Sequence, residues 1–355
     1  MNNDRIQEIL DLMEEARLDY FLISDPQSIA YCTGYYNNPH ERMFVFMISK
    51  HGNHTLFMND LFYLDHDLDV NIVWHKDGQD AIQTIVDEMH FPGRIGIDKN
   101  WASHFLLDLM KKLPDAKYIN ASPCVDLVRM KKDLQEQVLM IESSKINDAV
   151  MEEIISFIQE GVTEKQLAKK LDELFFNHHS TCYGAIVAFG KNAADPHHEN
   201  DDTPLRKGDC VLIDMGCVYK GYCSDMTRTF FYEGILEEEI KVYEIVKKAN
   251  EAAEAMIKPG VKLSDIDKCA RKVISDEGYG KYFTHRLGHF IGRDVHEYGD
   301  VSSVNEMEVE EGMIFSIEPG IYLEGNFGVR VEDLVMVTKD GCQVLNSFTK
   351  DIYII

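Results

Sequence analysis

Two acidic residues in one strand–turn–strand segment are the first side chains whose spacing indicates chemistry. Asp214 and Asp225 lie in the run CVLIDMGCVYKGYCSDMTRT, where two apolar stretches flank a turn near Tyr219-Lys220-Gly221. A hairpin symmetric about Tyr219-Lys220 would place the aspartates directly opposite each other, with Cβ atoms about 4.5–5.5 Å apart. Carboxylates that close repel each other, and one pKa rises unless a cation lies between them. The segment therefore predicts a bound cation.

A second acidic pair repeats this arrangement nearer the end of the sequence. Glu318 and Glu332 lie in MIFSIEPGIYL and VRVEDLVMV, and a hairpin centred on Gly325 would place them opposite each other. Between the two hairpins, HRLGHFIGRDVHE supplies imidazoles. Four carboxylates and one imidazole suit two divalent ions, with Mn²⁺ favoured and Co²⁺ or Zn²⁺ as alternatives. Two such ions about 3.5–4 Å apart can activate one water. The predicted ligands are Asp214, Asp225, His289, Glu318 and Glu332.

The elements around these residues predict an α+β domain over residues 131–355. Strand signals with tight turns begin near Ala185, and two helices interrupt them. One helix is predicted from Glu237 to Met256, and the other from Ser264, as its N-cap, to Asp276. The acidic pairs would therefore be held by antiparallel strands.

Residues 1–130 alternate helix and strand signals, which predicts an α/β domain. Within it, His51-Gly52-Asn53 is interpreted as a hairpin turn between two strands. The region has no Gly-rich phosphate loop and no compact group of ligand-type side chains, so we expect the chemistry to lie in the second domain.

Composition narrows the class of protein. The 355 residues fit two domains, and the net charge of −25 argues against nucleic acid or an anionic membrane surface as a partner. The first twenty residues contain no apolar signal region, and no apolar stretch is long enough to span a bilayer. The eight cysteines contain no C-x-x-C pair and are interpreted as reduced thiols. Together these features predict a cytoplasmic protein.

The chain resembles the metallopeptidase family that includes Xaa-Pro dipeptidase (prolidase), Xaa-Pro aminopeptidase and methionine aminopeptidase. The matching stretches are VLIDMGCVYKGYCSDMTRTF, THRLGHFIGRDVHE, MIFSIEPGIYL and GVRVEDLVMV. The resemblance implies a pita-bread (creatinase/aminopeptidase-like) catalytic domain after an α/β N-terminal domain of the creatinase/prolidase type. Methionine aminopeptidases generally lack that N-terminal domain, which sets them aside.

The resemblance also implies a role for each predicted ligand. Asp225 and Glu332 would bridge both metals, Asp214 would complete one site, and His289 with Glu318 would complete the other. Glu318 would exchange protons with a hydroxide bridging the two ions, first as general base and then as general acid.

Further residues match the family's active-site positions. His197, in FGKNAADPHHE, and His296 would steady the scissile carbonyl and the tetrahedral intermediate. His285 and Arg330 match substrate-binding positions of the pocket. The neighbouring His198 is interpreted as a solvated side chain.

Two features concern specificity. Phe290 replaces the small residue that usually follows the ligand histidine, so we expect a bulky ring beside the metals to reshape the pocket. The polar loop Asn37–Arg42 is interpreted as solvated, with a contact from His40, Glu41 or Arg42 to a bound peptide's free terminus as the alternative.

The function implied by the resemblance is dinuclear-metal hydrolysis of short proline-containing peptides by a homodimeric Xaa-Pro dipeptidase. The alternative is a Xaa-Pro aminopeptidase acting on longer peptides. A non-catalytic peptide-binding module on the same fold is a remote alternative, because such relatives lose ligands and none is missing here. The metal-free creatinase branch is disfavoured for the same reason.

Overall fold

The computed structural model describes residues 1–90 and 92–355. The chain divides into two compact units, Met1–Arg129 and Met130–Ile355. Within the described residues, no helix combines the length and the apolar character needed to cross a membrane.

The first unit is built on a six-stranded mixed sheet with the strand order β4-β3-β2-β1-β5-β6. Strand β1 pairs antiparallel with β2 and parallel with β5, and a helix connects the parallel strands β5 and β6, which confirms the α/β class. Its helices are α1 (Asn3–Glu15), α2 (Pro26–Thr33), α3 (Ala81–Glu88), α4 (Ser103–Lys112) and α5 (Ser122–Met130). Its strands are β1 (Tyr20–Ile23), β2 (Val45–Ser49), β3 (Thr55–Asn59), β4 (Asn71–His75), β5 (Arg94–Ile97) and β6 (Lys117–Asn120).

Both faces of this sheet are covered, which explains why its central strands are apolar throughout. Successive side chains of a strand point to opposite faces. Phe21 and Ile23 of β1 accordingly join one buried cluster, while Tyr20 and Leu22 join another. The predicted hairpin turn at Gly52 is confirmed, since β2 and β3 pair antiparallel around it and Gly52 has a φ of +92°.

The second unit combines four long helices with short antiparallel strands, which confirms the α+β class. Its helices are α6 (Leu134–Ile154), α7 (Glu164–Asn177), α8 (Glu237–Met256) and α9 (Leu263–Asp276). Its earlier strands are β7 (Thr181–Cys182), β8 (Ile186–Phe189), β9 (Cys210–Met215), β10 (Cys217–Tyr219), β11 (Tyr222–Cys223) and β12 (Met226–Phe231). Its later strands are β13 (Gly288–His289), β14 (Asp300–Val301), β15 (Ile314–Ile317), β16 (Gly320–Leu323), β17 (Phe327–Arg330), β18 (Asp333–Val337) and β19 (Cys342–Val344).

These strands form two three-stranded sheets that carry the acidic hairpins, ordered β12-β9-β8 and β15-β18-β19. The sheets β11-β10-β7 and β16-β17, which have shorter strands, extend these hairpins towards their turns. The pair β13-β14 forms a separate two-stranded sheet. The predicted helix Glu237–Met256 is confirmed as α8. The second predicted helix begins earlier than expected: Lys262 is the N-cap, and the Ser264 hydroxyl donates to Glu306 Oε1 at 3.0 Å instead of capping the helix.

The expected register of the first acidic hairpin is wrong by two residues. Tyr219 pairs with Tyr222, so the turn is centred on Lys220-Gly221, and Asp214 lies opposite Thr227 instead of Asp225. Lys220 and Gly221 have φ values of +47° and +83°, as a two-residue type I′ turn requires. A shift of two residues keeps the same face of the sheet, which moves Asp225 to a diagonal position without turning it away.

The expected register of the second hairpin is confirmed. Ile317 pairs with Asp333 on one side and Gly320 with Arg330 on the other, in the same register. Glu318 and Glu332 therefore face each other at the gap between these pairs.

Candidate metal centre

The first hairpin bends where its aspartates lie. Gly216 separates β9 from β10, and a Cβ atom added there would lie 1.9 Å from the Tyr183 hydroxyl and 2.0 Å from the Ser224 carbonyl oxygen. The Tyr183 hydroxyl donates to that same carbonyl at 2.7 Å. Only glycine fits at this close approach of two chain segments. Asp225 follows Ser224 and lies between β11 and β12, outside the strand pairing, with its side chain buried.

Thr227 joins the first hairpin to the second. Its hydroxyl donates to Glu332 Oε2 at 2.6 Å, and its carbonyl accepts the Glu332 amide at 3.1 Å. Because Thr227 is also the partner of Asp214 in the β9–β12 ladder, this contact brings carboxylates from both hairpins to one place.

His289 enters the same cluster from β13. Its amide donates to the Ser316 hydroxyl at 3.0 Å, and Ser316 donates onward to Glu318 Oε1 at 3.2 Å. Nδ1 of His289 lies 3.2 Å from the Phe290 carbonyl oxygen, which favours the proton on Nδ1. Nε2 is then free as a ligand, and it lies 3.6 Å from Asp225 Oδ2 and 3.7 Å from Glu318 Oε1.

Arg330 is buried among the acidic side chains and donates to several of their neighbours. NH2 lies 2.6 Å from Asp214 Oδ2, NH1 donates to the Tyr322 hydroxyl at 3.0 Å, and Nε donates to Thr227 Oγ1 at 3.1 Å. Only 2% of Arg330 is exposed, so its guanidinium has little contact with solvent. Its hydrogen bonds are made to other members of the site and hold them in place.

The electrostatics of the cluster favour bound cations. Burial raises the pKa of Glu332 well above its usual value, and the charges of Asp225 and Glu318 raise it further. Burial likewise raises the pKa of Glu318 to about 7, against the opposing influence of His289 and Arg330. Burial lowers the pKa of His289, but the carboxylates around it outweigh burial and shift it upward.

The donor set fits divalent metal ions. Ligand atoms of Asp225, His289 and Glu332 all lie within 4.8 Å of one another. Glu318 and Asp214 adjoin them, and among the described residues Arg330 is the guanidinium that contacts a carboxylate of this set. One guanidinium cannot neutralise the four carboxylates of this set, two of them buried, whereas oxygen-rich sites with one imidazole suit divalent ions.

The structure places the other predicted histidines around this cluster. The His296 ring packs edge-on against His289, with centroids 4.3 Å apart, and burial lowers its pKa to about 4. His285 Nε2 lies 2.9 Å from the Tyr322 hydroxyl, and burial lowers its pKa to about 4 as well. His197 is exposed and close enough to His285 and His296 for its charge to contribute to both shifts.

Phe290 does not line the metal cluster, so the expected effect on the pocket is wrong. Its ring is fully buried and packs against Phe315 with centroids 5.3 Å apart. Because neighbouring side chains alternate along a strand, a residue after His289 points into the core behind the site.

Arg42, offered above as a possible peptide contact, has another partner. Its Nε and NH2 atoms each lie 2.9 Å from a carboxylate oxygen of Asp77 within the first unit.

Sequence reasoning missed the hydroxyl groups of the site. Thr227, Tyr322 and Ser316 each connect two members of the cluster. For two of these hydroxyls the only signal in the sequence is their spacing from a predicted ligand, since Thr227 lies two residues after Asp225 and Ser316 two before Glu318.

Comparison with known proteins agrees with this geometry. Residues 138–339 match Metallopeptidase family M24, and residues 5–131 match the Creatinase/Prolidase N-terminal domain. An uncharacterized peptidase of Staphylococcus aureus (strain bovine RF122 / ET3-1) is 35% identical, covering 98% of this chain and 99% of the relative.

Solved structures match over nearly the whole chain. A recombinant prolidase from Thermococcus sibiricus is 32% identical, with a TM-score of 0.94 and coverage of 100% of this chain and 99% of that one. A dipeptidase from Pyrococcus horikoshii OT3 is 34% identical, with a TM-score of 0.92 and coverage of 99% and 100%.

The fold and the acidic cluster together define a two-domain metallohydrolase with a pita-bread catalytic unit. The chain belongs to metallopeptidase family M24.

Proposed function

We propose that this metallopeptidase is a Xaa-Pro dipeptidase that holds two divalent ions per chain. The observation that carries the proposal is the convergence of buried carboxylates on Nε2 of His289, with ligand atoms within 4.8 Å of one another. The names of the two solved relatives, a prolidase and a dipeptidase, support the dipeptide substrate class.

Five side chains would hold the ions, and their arrangement favours a shared pair of sites. Asp225 and Glu332 lie on opposite hairpins joined through Thr227, which brings both carboxylates to the place where the ions would be held. The remaining ligands would be Asp214, His289 and Glu318. When bound, the ions would supply a water deprotonated at neutral pH and Lewis acidity at the substrate carbonyl.

The other residues would handle the proton and the peptide. Glu318, oriented by the Ser316 hydroxyl, would take the proton of the attacking water at one carboxylate oxygen and later give it to the leaving amine. His197 and His296 would donate hydrogen bonds to the carbonyl oxygen as negative charge develops on it. His285 would line the pocket, while Arg330 would keep Asp214 in place.

Metal restoration with a small peptide panel tests the proposal. Metal-free protein should be inactive, and Mn²⁺, Co²⁺ or Zn²⁺ added in turn should restore cleavage of a Xaa-Pro dipeptide. Cleavage of Xaa-Pro-Yaa tripeptides in preference to dipeptides would replace the dipeptidase by the aminopeptidase alternative. Full activity after exhaustive chelation would refute the metal-dependent mechanism.

The predicted homodimer and the cytoplasmic location stay predictions. Sedimentation of the full chain and fractionation of the cells that express it are the direct measurements.

A further inference from the structure

The loop that carries His197 is attached to a buried carboxylate outside the metal centre. This His197 loop, residues 190–203, follows β8 and passes beside β17, where a Cβ atom on Gly328 would lie 1.9 Å from the Ala193 carbonyl oxygen. Arg330 NH1 also lies 3.4 Å from the Pro196 carbonyl oxygen. One side of the loop is therefore pressed against the strand that leads to the metal cluster.

Glu164, the first residue of α7, lies on the other side of the loop and is fully buried. Its Oε1 accepts from the Phe189 amide and from Asn192 Nδ2, both at 2.9 Å. Its Oε2 accepts from the Asp201 amide at 3.0 Å and lies 2.6 Å from His198 Nε2. One carboxylate thus contacts the entry, the middle and the exit of the His197 loop.

These contacts make Glu164 a hydrogen-bond hub and not a further metal ligand. Glu164, His198 and Asp201 lie close enough together to hold an ion by distance alone. However, the two carboxylate oxygens offer about four lone-pair positions, and four N–H donors occupy them. The start of α7 adds a favourable field for the negative charge.

His198 is not the solvated neighbour expected above. Its side chain is 12% exposed and directed at Glu164, whereas His197, one residue earlier, is exposed and close enough to His285 and His296 to contribute to lowering the pKa of each. The two histidines therefore have different surroundings: His198 contacts a buried carboxylate that holds the loop, and His197 is exposed near the other histidines of the site.

We propose that Glu164 and His198 are positioning residues that hold the His197 imidazole where it meets the peptide carbonyl. The inference rests on the role given to His197 under the proposed function. None of the hydrogen bonds of this pair reaches Asp214, Asp225, His289, Glu318 or Glu332, so the pair acts on the site through the loop that carries His197.

Kinetics of paired variants test this in the full metal-loaded chain. Glu164→Gln places an amide donor against N–H donors and should lower kcat about 100-fold, the scale of a displacement of about 1 Å. His198→Ala should lower kcat about 10-fold, and His198→Asn, which keeps an N–H donor, should recover most of that loss. KM should change less than kcat in each case, because a misplaced imidazole costs more in the transition state than in binding.

A double-mutant cycle separates positioning from general damage. In a His197→Ala background, Glu164→Gln and His198→Ala should cause no further loss of kcat, because the group they hold is gone. Additive losses would overturn the proposal, and so would loss of a metal ion from Glu164→Gln. The matched control is Asp202→Asn, which removes the exposed ion pair of Asp202 with Lys165 (3.0 Å) from the same loop and should leave kcat unchanged.

Hydrogen exchange gives a readout that needs no substrate. Amides of residues 190–203 should exchange faster in Glu164→Gln and His198→Ala than in the wild type or Asp202→Asn, while β9 and β18 stay protected. Unchanged exchange in Glu164→Gln would overturn the positioning role. If the wild type cleaved no Xaa-Pro peptide, the proposed function would fail, and this exchange result would still decide whether the pair fixes the loop.

Discussion

Replacing Thr227 by valine should weaken metal binding without touching a ligand. The hydroxyl donates to Glu332 Oε2 at 2.6 Å and accepts from Arg330 Nε at 3.1 Å, and the residue is fully buried. Valine has nearly the same shape but no polar atom, so Thr227→Val leaves both charged groups without that partner.

The size of the effect follows from these two contacts. Each hydrogen bond to a charged group contributes about 1.5–3 kcal/mol, so we expect the loss of both in Thr227→Val to lower the free energy of unfolding by at least about 3 kcal/mol. Loss of a partner that orients a ligand typically weakens metal binding about 10–100-fold. We expect the same range here, because Glu332 would no longer be held towards the other carboxylates.

Calorimetric titration of metal-free protein with Mn²⁺ is the assay, with circular dichroism to verify that each variant is folded. The matched control is Thr227→Ser, which keeps the hydroxyl and loses only a methyl group, and its Mn²⁺ affinity should stay close to that of the wild type. Equal affinities for the valine and serine variants would refute the idea that this hydrogen bond holds Glu332 in place.

Three further predictions use other parts of the second unit. Gly216→Ala should lower the free energy of unfolding by about 1–3 kcal/mol, measured by urea denaturation, because its methyl group would lie 1.9 Å from a tyrosine hydroxyl. Lys132→Met should cost about 3–5 kcal/mol in the same measurement, because it removes the buried ammonium 3.0 Å from Glu297. Burial, followed by the charge of Asp333, raises the pKa of Glu254 from 4.5 to about 7, so the folded state binds the proton more tightly than the unfolded state. The free energy of unfolding should therefore fall as pH rises from about 4.5 to about 7, and Glu254→Gln should flatten that slope.

Each of these has a result that would contradict it. Wild-type stability in Gly216→Ala would mean that the Tyr183 hydroxyl moves aside at no cost. A double variant Lys132→Met/Glu297→Gln that is no more stable than Lys132→Met alone would show that the two side chains are not coupled. A pH slope of stability that persists in Glu254→Gln would place the responsible proton elsewhere.

The sequence predicted the surroundings of the proposed metal ligands best where a local pattern decides the structure. Gly325 lies midway between Glu318 and Glu332, and the observed ladder has the expected register. For the first hairpin, the turn could be centred on either of two adjacent residue pairs, and the left-handed backbone of Lys220 and Gly221 decided between them. A local count cannot show which pair adopts that conformation.

Contacts between distant segments escaped prediction for a physical reason. His198 looked like a solvated residue because its partner, Glu164, lies 34 residues earlier on another element. Phe290 was expected to face the metals, but the alternation of β13 turns it towards Phe315. Side-chain direction and long-range pairing depend on the assembled sheets, and a single sequence displays neither.

The junction between Thr227 and Glu332 also sets an order of assembly. These residues are 105 positions apart, so the contact that completes the cluster closes a long loop of chain. During synthesis, Asp214 and Asp225 emerge from the ribosome well before Glu318 and Glu332 do. A growing chain that stops short of Glu318 can form the first hairpin but lacks half of the carboxylates, so metal loading should be a late, post-translational event. Cellular metal supply would then act on the finished fold and not on its early intermediates.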